Sequence, residues 1–127
     1  MRVMVVDDAT LIRQRMLAAF LKAPEVSAVS EATSGEEALA LTDGFNPDVV
    51  LLDLMLPGMS GLEVLEVLTK RHPTTKVLVF TNYPYPAFRR RCLELGAAHF
   101  LGKSTDVEHV LELALGKPTT EATGDVT

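Results

Sequence analysis

The chain has 127 residues, of which 47% are hydrophobic and 23% are charged, and its formal net charge is −5. This length suits one domain with a sizeable core, and the ordinary composition excludes a chain that is disordered throughout. The negative charge argues against nucleic-acid binding by this chain alone, because phosphate contacts need a basic surface.

The cysteine content and the lengths of the apolar runs bear on the compartment. Cys92 is the only cysteine, so no internal disulfide can form. It lies on an apolar helical stripe, where a lone cysteine is usually a small core residue. The sequence has no basic-then-apolar leader and no apolar run of membrane-spanning length. We therefore expect a cytoplasmic protein that does not enter a membrane.

Five apolar runs alternate with five amphipathic segments along the chain. The strands are predicted at residues 3–6, 26–32, 49–53, 76–80 and 97–101. The helices are predicted at 10–21, after the overlapping capping-box patterns at 33–37, after the capping box at 60–63, after Pro86, and at 105–115. Gly96 and Gly116 are predicted helix stops. One domain is expected over residues 1–117, followed by a flexible tail or the start of a linker at 118–127.

This alternation predicts an α/β fold with a parallel sheet between two layers of helices. With five strands we expect the flavodoxin-like (βα)5 three-layer sandwich, in the strand order 2-1-3-4-5. In that order strands 1 and 3 flank the point where the winding direction reverses and a crevice opens. A functional site is therefore expected at the carboxyl ends of these two strands.

Acidic residues follow both of these strands. Asp7 and Asp8 come after strand 1, and Asp53 comes after the buried strand 3. Three carboxylates in one pocket repel one another and favour a bound cation, and an all-oxygen set suits Mg²⁺ better than zinc. The histidines, which are His72, His99 and His109, have no metal-ligand spacing, so surface or structural roles are expected for them.

Two further polar residues are predicted at the same edge of the sheet. Strand 4 ends at Thr81, and Lys103 follows strand 5. Together with a cation, a hydroxyl and an ammonium suit the oxygens of a phosphoryl group. The chemistry indicated is phosphoryl transfer onto Asp53 as an in-line nucleophile. Taken singly, Lys103 could be a surface lysine and Thr81 a strand-end cap.

Over residues 2–115 the sequence resembles the receiver domain of bacterial two-component response regulators. The resemblance is carried by the Leu-Pro-Gly-Met-Ser-Gly loop at 56–61 together with the following residues: Asp7, Asp8, Asp53, Thr81, Phe100 and Lys103. The resemblance implies that Asp53 accepts a phosphoryl group from a sensor histidine kinase or a phosphotransfer protein. It also implies a signalling domain rather than an enzyme, catalysing only its own phosphoryl transfer and slow self-dephosphorylation.

The resemblance also implies the ligands of the cation. Asp8, Asp53 and the backbone carbonyl of Met55 would bind Mg²⁺, for which Mn²⁺ can substitute, and Asp7 would bind directly or lie just behind the ligands. Lys103 and Thr81 would hold the phosphoryl oxygens.

A switch is implied at Thr81 and Phe100, in which the aromatic ring turns inward as the hydroxyl is drawn to the phosphoryl group. Taken without the resemblance, Phe100 reads as an ordinary core residue.

The output surface implied by the resemblance is the face of helix 4, strand 5 and helix 5. Arg89, Arg90 and Arg91 lie in this region. They form either a solvated basic face or a surface for an acidic patch on a partner. The partner would be a downstream protein, a fused output domain, or a second copy of the chain in a homodimer through this face.

The sequence departs from the family pattern at two positions. Ser104 follows Lys103 where proline is usual, so a different loop shape is expected there. Asn82 follows Thr81 where a small residue is common, and Tyr83 comes next. These residues predict an altered dephosphorylation rate.

Three rival interpretations stay open on the sequence alone. The chain could be the receiver part of a longer transcription regulator, or a phosphorylation-independent adaptor with a degenerate site. The third is a Mg²⁺-dependent phosphohydrolase, but such enzymes usually carry a second Asp two positions after the nucleophile, where this chain has Met55.

Overall fold

The computed structural model describes residues 1–116, and a five-stranded parallel sheet forms its centre. The strands lie in the order β2-β1-β3-β4-β5, as predicted. Their bounds are β1 (Arg2–Val6), β2 (Ala28–Ala32), β3 (Val49–Leu52), β4 (Lys76–Thr81) and β5 (His99–Gly102). The predicted tail at 118–127 and the domain boundary at 117 lie outside the described residues.

Five helices connect the strands and cover both faces of the sheet. They are α1 (Thr10–Leu21), α2 (Gly35–Phe45), α3 (Gly61–Arg71), α4 (Pro86–Glu94) and α5 (Val107–Leu115). The predicted flavodoxin-like three-layer sandwich is confirmed.

The central strands are buried on both faces, which explains their unbroken apolar sequences. Val6 and Leu52 face a core cluster that contains side chains of α2, α3 and α4. Val5 and Leu51 face the opposite cluster, which contains side chains of α1 and α5. Because neither face leaves room for a charge, acidic side chains are excluded from β1 and β3 themselves and stand just beyond them.

Side chains define the starts of three helices. Ser60 forms the predicted capping box of α3, since its hydroxyl accepts from the N–H of Glu63 while the Glu63 carboxylate accepts from the N–H of Ser60. Ser34 caps α2, but only half of that box forms, because the Glu37 carboxylate accepts from the N–H of Thr33 instead. Pro86 stands in the first turn of α4, as predicted.

Two elements begin two residues later than predicted, because a turn holds the intervening residues. At β2, the N–H of Val26 donates to the carbonyl of Ala23 at 3.1 Å. At α5, the N–H of Thr105 donates to the carbonyl of Gly102 at 3.0 Å. In both places the local backbone bond outweighs the apolar or helical pattern that prompted the prediction.

The start of β5 is likewise delayed, because the chain is still leaving α4. The N–H of Ala97 donates to the carbonyl of Cys92 at 3.0 Å, so the strand begins at His99 and not at 97. Gly96 takes φ +106°, a conformation that side chains disfavour, and it stops the helix as predicted.

Candidate functional site

Three carboxylates meet at the carboxyl edge of the sheet. The N–H of Asp53 donates to the carbonyl of Val6 at 2.9 Å, and the N–H of Asp7 donates to the carbonyl of Ala32 at 3.0 Å. These backbone bonds fix each acidic residue against the neighbouring strand. One carboxylate oxygen from each of Asp7, Asp8 and Asp53 lies within 4.8 Å of the others. The structure therefore brings together the three acids that the sequence predicted at one site.

Lys103 bridges two of these acids. The N–H of Lys103 donates to the carbonyl of Thr81, which fixes its backbone just beyond β5. Its Nζ lies 2.8 Å from Asp7 Oδ2 and 3.1 Å from Asp53 Oδ2. The Lys103 side chain is only 6% exposed, so this ammonium is a buried partner of the acids and not a surface lysine.

Burial and charge shift the pKa values of this pair. Burial raises the pKa of the Asp53 carboxyl, and the nearby Asp7 charge raises it further, while the Met55 N–H and Lys103 act against both. Burial alone would lower the pKa of Lys103, but its hydrogen bond to Asp7 and the Asp53 charge outweigh burial and raise it. Lys103 is therefore fully charged at neutral pH. For Asp53, burial makes the ionised form less favourable than it is in water.

The donor set fits a hard divalent cation. All the candidate side-chain ligands are carboxylate oxygens, and with Lys103 charged the ionised cluster keeps two negative charges. The Asp8 carboxylate is exposed and makes no hydrogen bond or ion pair with residues 1–116. The Met55 N–H donates to Asp53 Oδ1 at 3.2 Å, which fixes the start of the loop that follows Asp53. The role of the Met55 carbonyl as a ligand stays a prediction.

Thr81 lies beside a cavity that opens next to Lys103. Its side chain is fully buried, and its hydroxyl oxygen accepts from the N–H of Tyr83 at 3.0 Å, which leaves the hydroxyl proton free to be donated. The cavity has a volume of about 410 Å³. It is lined by Ile12, Thr81, Asn82, Pro84, Gly102, Lys103 and Ser104. Its polar lining is rich in hydrogen-bond donors, which suits an anionic group.

The loop after Lys103 reaches the site without a cis peptide bond. Residues 1–116 contain no cis peptide, so the bond between Lys103 and Ser104 is trans. Lys103 nevertheless contacts both buried acids. Serine in place of the usual proline is therefore compatible with the predicted position of the ammonium.

The family model described as the response regulator receiver domain matches residues 3–115. This chain is a receiver domain. GacA of Pseudomonas viridiflava, a response regulator, is 35% identical over 111 residues, which cover 87% of this chain and 52% of GacA. The chain spans about half the length of the curated relatives it matches.

Solved receiver structures share this fold. The signal receiver domain of the response regulator NarL from Mycobacterium tuberculosis is 37% identical, with a TM-score of 0.80 over 91% of this chain and 97% of that one. A response regulator from Burkholderia pseudomallei, solved with a phosphorylated aspartic acid, a calcium ion and citrate, is 26% identical. Its TM-score is 0.82, over 97% of this chain and 69% of that one.

Phe100 of the receiver domain is directed into the core. It lies opposite Val79 in the pairing of β4 with β5, and it is 9% exposed. It packs in the core cluster on the side of α2, α3 and α4. The structure thus agrees with core packing of Phe100 in this state, and its role in a switch stays a prediction.

The three consecutive arginines lie on α4, away from the acids. Arg91 is 3.7 Å from Glu94, one turn along the same helix. Arg89 and Arg90 are exposed, and neither forms an ion pair within the part of the chain that the structure describes. Beside them, the rings of Tyr85 and Phe88 are 5.9 Å apart.

Two of the histidines lie beside acidic side chains, and the cysteine is buried in the core. His72 Nε2 lies 2.8 Å from Asp43, and His109 Nδ1 lies 3.5 Å from Glu112. Burial lowers the pKa of His99, and the charge of Lys76 lowers it further. Cys92 is fully buried, so it is the core residue that the sequence predicted. Burial also raises the pKa of its thiol to about 11.

No helix among residues 1–116 has the length and apolar character that a membrane crossing would need.

Sequence reasoning missed two residues that hold the loops of the site. Arg13 Nη1 donates to the carbonyl of Asp7 at 2.9 Å. The N–H of Met59, in the loop after β3, donates to the Glu36 carboxylate at 3.3 Å. The only available signal was that each residue lies in the first turns of a helix next to the predicted edge.

Asp53→Asn is expected to stabilise the receiver domain at pH 7 by about 1 kcal/mol in the absence of divalent cations. Because the folded pKa of Asp53 is raised above its ordinary value of 3.8, the folded state binds the proton more tightly than the unfolded state. Stability that this proton provides below pH 3.8 is lost as the pH rises through the folded pKa. Removing the charge avoids that loss, and urea unfolding with a chelator measures the gain.

The matched control is Asp43→Asn at an exposed position. The pKa of Asp43 is lowered, chiefly by its hydrogen bond with His72 and then by the Arg71 charge. Its ionised form therefore favours folding, so the variant should change stability in the opposite direction. A stability gain for Asp53→Asn that persists unchanged down to pH 3 would contradict the explanation by charge.

Proposed function

We propose that this receiver domain accepts a phosphoryl group on Asp53 from a sensor histidine kinase or a phosphotransfer protein in a two-component phosphorelay. One observation carries the proposal: Asp53 is 5% exposed and contacts a buried ammonium, yet it shares its pocket with two further carboxylates. A purely structural ion pair needs one acid for one lysine. Three carboxylates beside one lysine leave a surplus of negative charge, which suits a site that binds a cation and reacts with an electrophilic phosphorus atom.

In the proposed reaction, a carboxylate oxygen of Asp53 attacks the phosphorus atom in line. The new oxygen–phosphorus bond forms as the bond from phosphorus to the donor's imidazole nitrogen breaks, and the leaving imidazole takes up a proton. Burial of Asp53 keeps water away from the nucleophile. Lys103 and the Thr81 hydroxyl would then bind oxygens of the transferred group, since both line the same cavity.

The proposed cation is Mg²⁺, with Mn²⁺ as a substitute. Asp8 and Asp53 would hold it together with the Met55 carbonyl, and Asp7 would bind directly or lie just behind them. When bound, the ion neutralises charge that develops on the phosphoryl oxygens. The bound calcium ion and the phosphorylated aspartic acid of the similar Burkholderia pseudomallei protein support this combination of groups.

Phosphorylation would act on the rest of the domain through Thr81. The phosphoryl group brings about 1.5 to 2 negative charges, and the Thr81 hydroxyl proton is free to be donated to it. Movement of Thr81 would favour one packing of Phe100, which lies on the adjacent strand β5 opposite Val79. To change the active state from 1:99 to 99:1, phosphorylation must favour that state by about 5.5 kcal/mol.

The proposed output surface is the face of α4, β5 and α5. Arg89 and Arg90 are exposed there without an ion-pair partner among residues 1–116, although the whole chain is acidic. An acidic patch on a downstream protein, on a fused output domain or on a second copy of the chain would complement them. A fused output domain is supported by the curated relatives, since this chain spans about half of their length.

The test is intact mass after incubation with acetyl phosphate. We expect the wild-type chain to gain the mass of one phosphoryl group with MgCl₂, and to gain none with a chelator. Asp53→Asn should gain none under either condition, whereas Asp43→Asn should behave as wild type because Asp43 is remote and exposed.

No mass gain in folded wild-type protein under any condition would overturn the proposal and favour a phosphorylation-independent adaptor. Equal gain in Asp53→Asn would place the acceptor elsewhere. Continued hydrolysis of the phosphodonor at many turnovers per chain would favour a phosphohydrolase.

Asn82→Ala is expected to shorten the lifetime of the phosphorylated form about threefold, equivalent to about 0.6 kcal/mol in the barrier to hydrolysis. Asn82 lines the cavity beside Lys103, which contacts Asp53, so removal of its side chain would widen the approach of water toward the acyl phosphate. Tyr83→Ala should have a smaller effect, because Tyr83 contacts Thr81 through its backbone. Loss of mass over time measures each lifetime, with Tyr85→Ala as the control. Equal lifetimes in the wild-type chain and the three variants would show that Asn82 does not limit hydrolysis of the acyl phosphate.

A further inference from the structure

Arg13 of α1 connects the cation site to the outer strand β2. Its Nη1 donates to the carbonyl oxygen of Asp7 at 2.9 Å, and its Nε lies 2.7 Å from Glu31 Oε1. The Arg13 side chain is only 11% exposed, whereas that of Glu31 is 54% exposed. The guanidinium is therefore held in place by two partners of different kinds, one a backbone carbonyl and the other a carboxylate.

The carbonyl that Arg13 holds belongs to the peptide that joins Asp7 to Asp8. This turn is fixed from other directions as well, since the N–H of Asp7 donates to Ala32 and the N–H of Ala9 donates to Asp7 Oδ1 at 2.8 Å. The Asp8 carboxylate, by contrast, is exposed and makes no hydrogen bond or ion pair with residues 1–116, although it lies near the like charges of Asp7 and Asp53. Its position therefore depends on the backbone that Arg13 restrains.

We propose that Arg13 is a positioning residue of the cation site, which orients Asp7 and Asp8 for a divalent cation through the carbonyl of Asp7. The inference rests on the proposed function, because it assumes that this acidic cluster binds a cation. Arg13 itself donates to the backbone and contacts no proposed ligand atom of a side chain.

Charge and positioning predict changes of opposite sign, which makes the inference testable. A guanidinium near the site repels a cation, so removing the charge alone should tighten binding. That effect is small, about fivefold at most, since Glu31 pairs with the guanidinium at the surface. Loss of a group that orients metal ligands weakens binding by about 10- to 100-fold. Positioning should therefore determine the net change.

The experiment is calorimetric titration of the whole chain with MgCl₂. We expect Arg13→Met to weaken Mg²⁺ binding at least tenfold. Arg13→Lys keeps the charge but has one ammonium in place of the guanidinium fork, so binding should weaken less. Arg15→Met, which removes an exposed charge from the same helix, should leave affinity unchanged or slightly tighter. Glu31→Gln should keep the contact with Asp7 and weaken binding less than fivefold.

A second measurement needs no metal. In chelator, the amide resonances of Asp8 and Ala9 should shift in Arg13→Met and stay in place in Arg15→Met. Thermal unfolding in chelator identifies any variant that fails to fold. If Arg13→Met does not fold, Arg13→Lys is compared with the wild-type chain in its place.

Binding in both Arg13 variants that equals or exceeds wild-type affinity would overturn the inference and leave the proposed function intact. Absence of saturable Mg²⁺ binding in the wild-type chain would overturn the cation site, and the positioning role with it.

Discussion

Lys103→Met is expected to lower the free energy of unfolding by about 3 kcal/mol at pH 7 without divalent cations. The variant leaves Asp7 and Asp53 in a buried pocket without the ammonium that contacts both at 2.8 and 3.1 Å. Because the pKa of Lys103 is raised in the fold, Lys103 stays charged and keeps its contribution as the pH falls below its ordinary value of 10.5, for as long as its acidic partners stay ionised. The deficit should shrink as the pH falls through the raised pKa of Asp53, and urea unfolding at several pH values measures it.

Lys70→Met supplies the matched control for the loss of a lysine charge. Lys70 forms an ion pair with Glu66 at 3.0 Å, but its side chain is 74% exposed. Its loss should cost about 0.5 kcal/mol or less. Added MgCl₂ should restore part of the stability of Lys103→Met and leave Lys70→Met unaffected, since a cation in the acidic pocket replaces the lost charge there. Equal deficits in the two variants would rule out a special role for Lys103.

Gly61→Ala is expected to destabilise the domain by about 3 kcal/mol and to reduce phosphorylation of Asp53. A Cβ at this first residue of α3 would contact the carbonyl oxygen of Asp53 and would lie 2.5 Å from Cα of Leu54. Both obstacles are backbone atoms, which cannot move aside as a side chain can. The loop that follows Asp53 would have to shift. Urea unfolding and the intact-mass assay measure the two effects.

Gly44→Ala makes the same chemical change where there is space. No heavy atom lies within 4 Å of a Cβ built on Gly44, which is part of α2. Alanine is the better helix former, so this variant should gain about 0.5 to 1 kcal/mol. A similar loss of stability in both variants would show that the close approach at Gly61 is not the cause.

The placement of the site could be predicted because it depends on strand ends. Asp7, Asp53 and Thr81 stand at or just after strands whose unbroken apolar sequences identify them, and parallel pairing brings those ends to one edge. The capping box of Ser60 is likewise local, so its signal is complete within four residues. Features of this kind depend on pattern and chain order, both of which a sequence contains.

Other features depend on distances between segments that are remote in the chain. The double contact of Lys103 requires both acids to lie within reach of one ammonium, and the contact of Arg13 requires α1 to lie against the end of β1. Val26 fits a strand by its residue type, but a turn back to Ala23 occupies its N–H. Side-chain patterns do not reveal which backbone bond prevails at such a boundary.

The position of Lys103 after the last strand has a consequence for the order of folding. The acidic residues are complete in the chain by Asp53, whereas their cationic partner follows fifty residues later. A ribosome therefore releases the mutually repelling groups before the cation that contacts two of them. Pairing of β1 with β3 alone would create an unbalanced cluster of like charge. Docking of β5 therefore has an electrostatic role as well as a structural one. It brings Lys103 against Asp7 and Asp53, and this contact offsets the repulsion between the two acids.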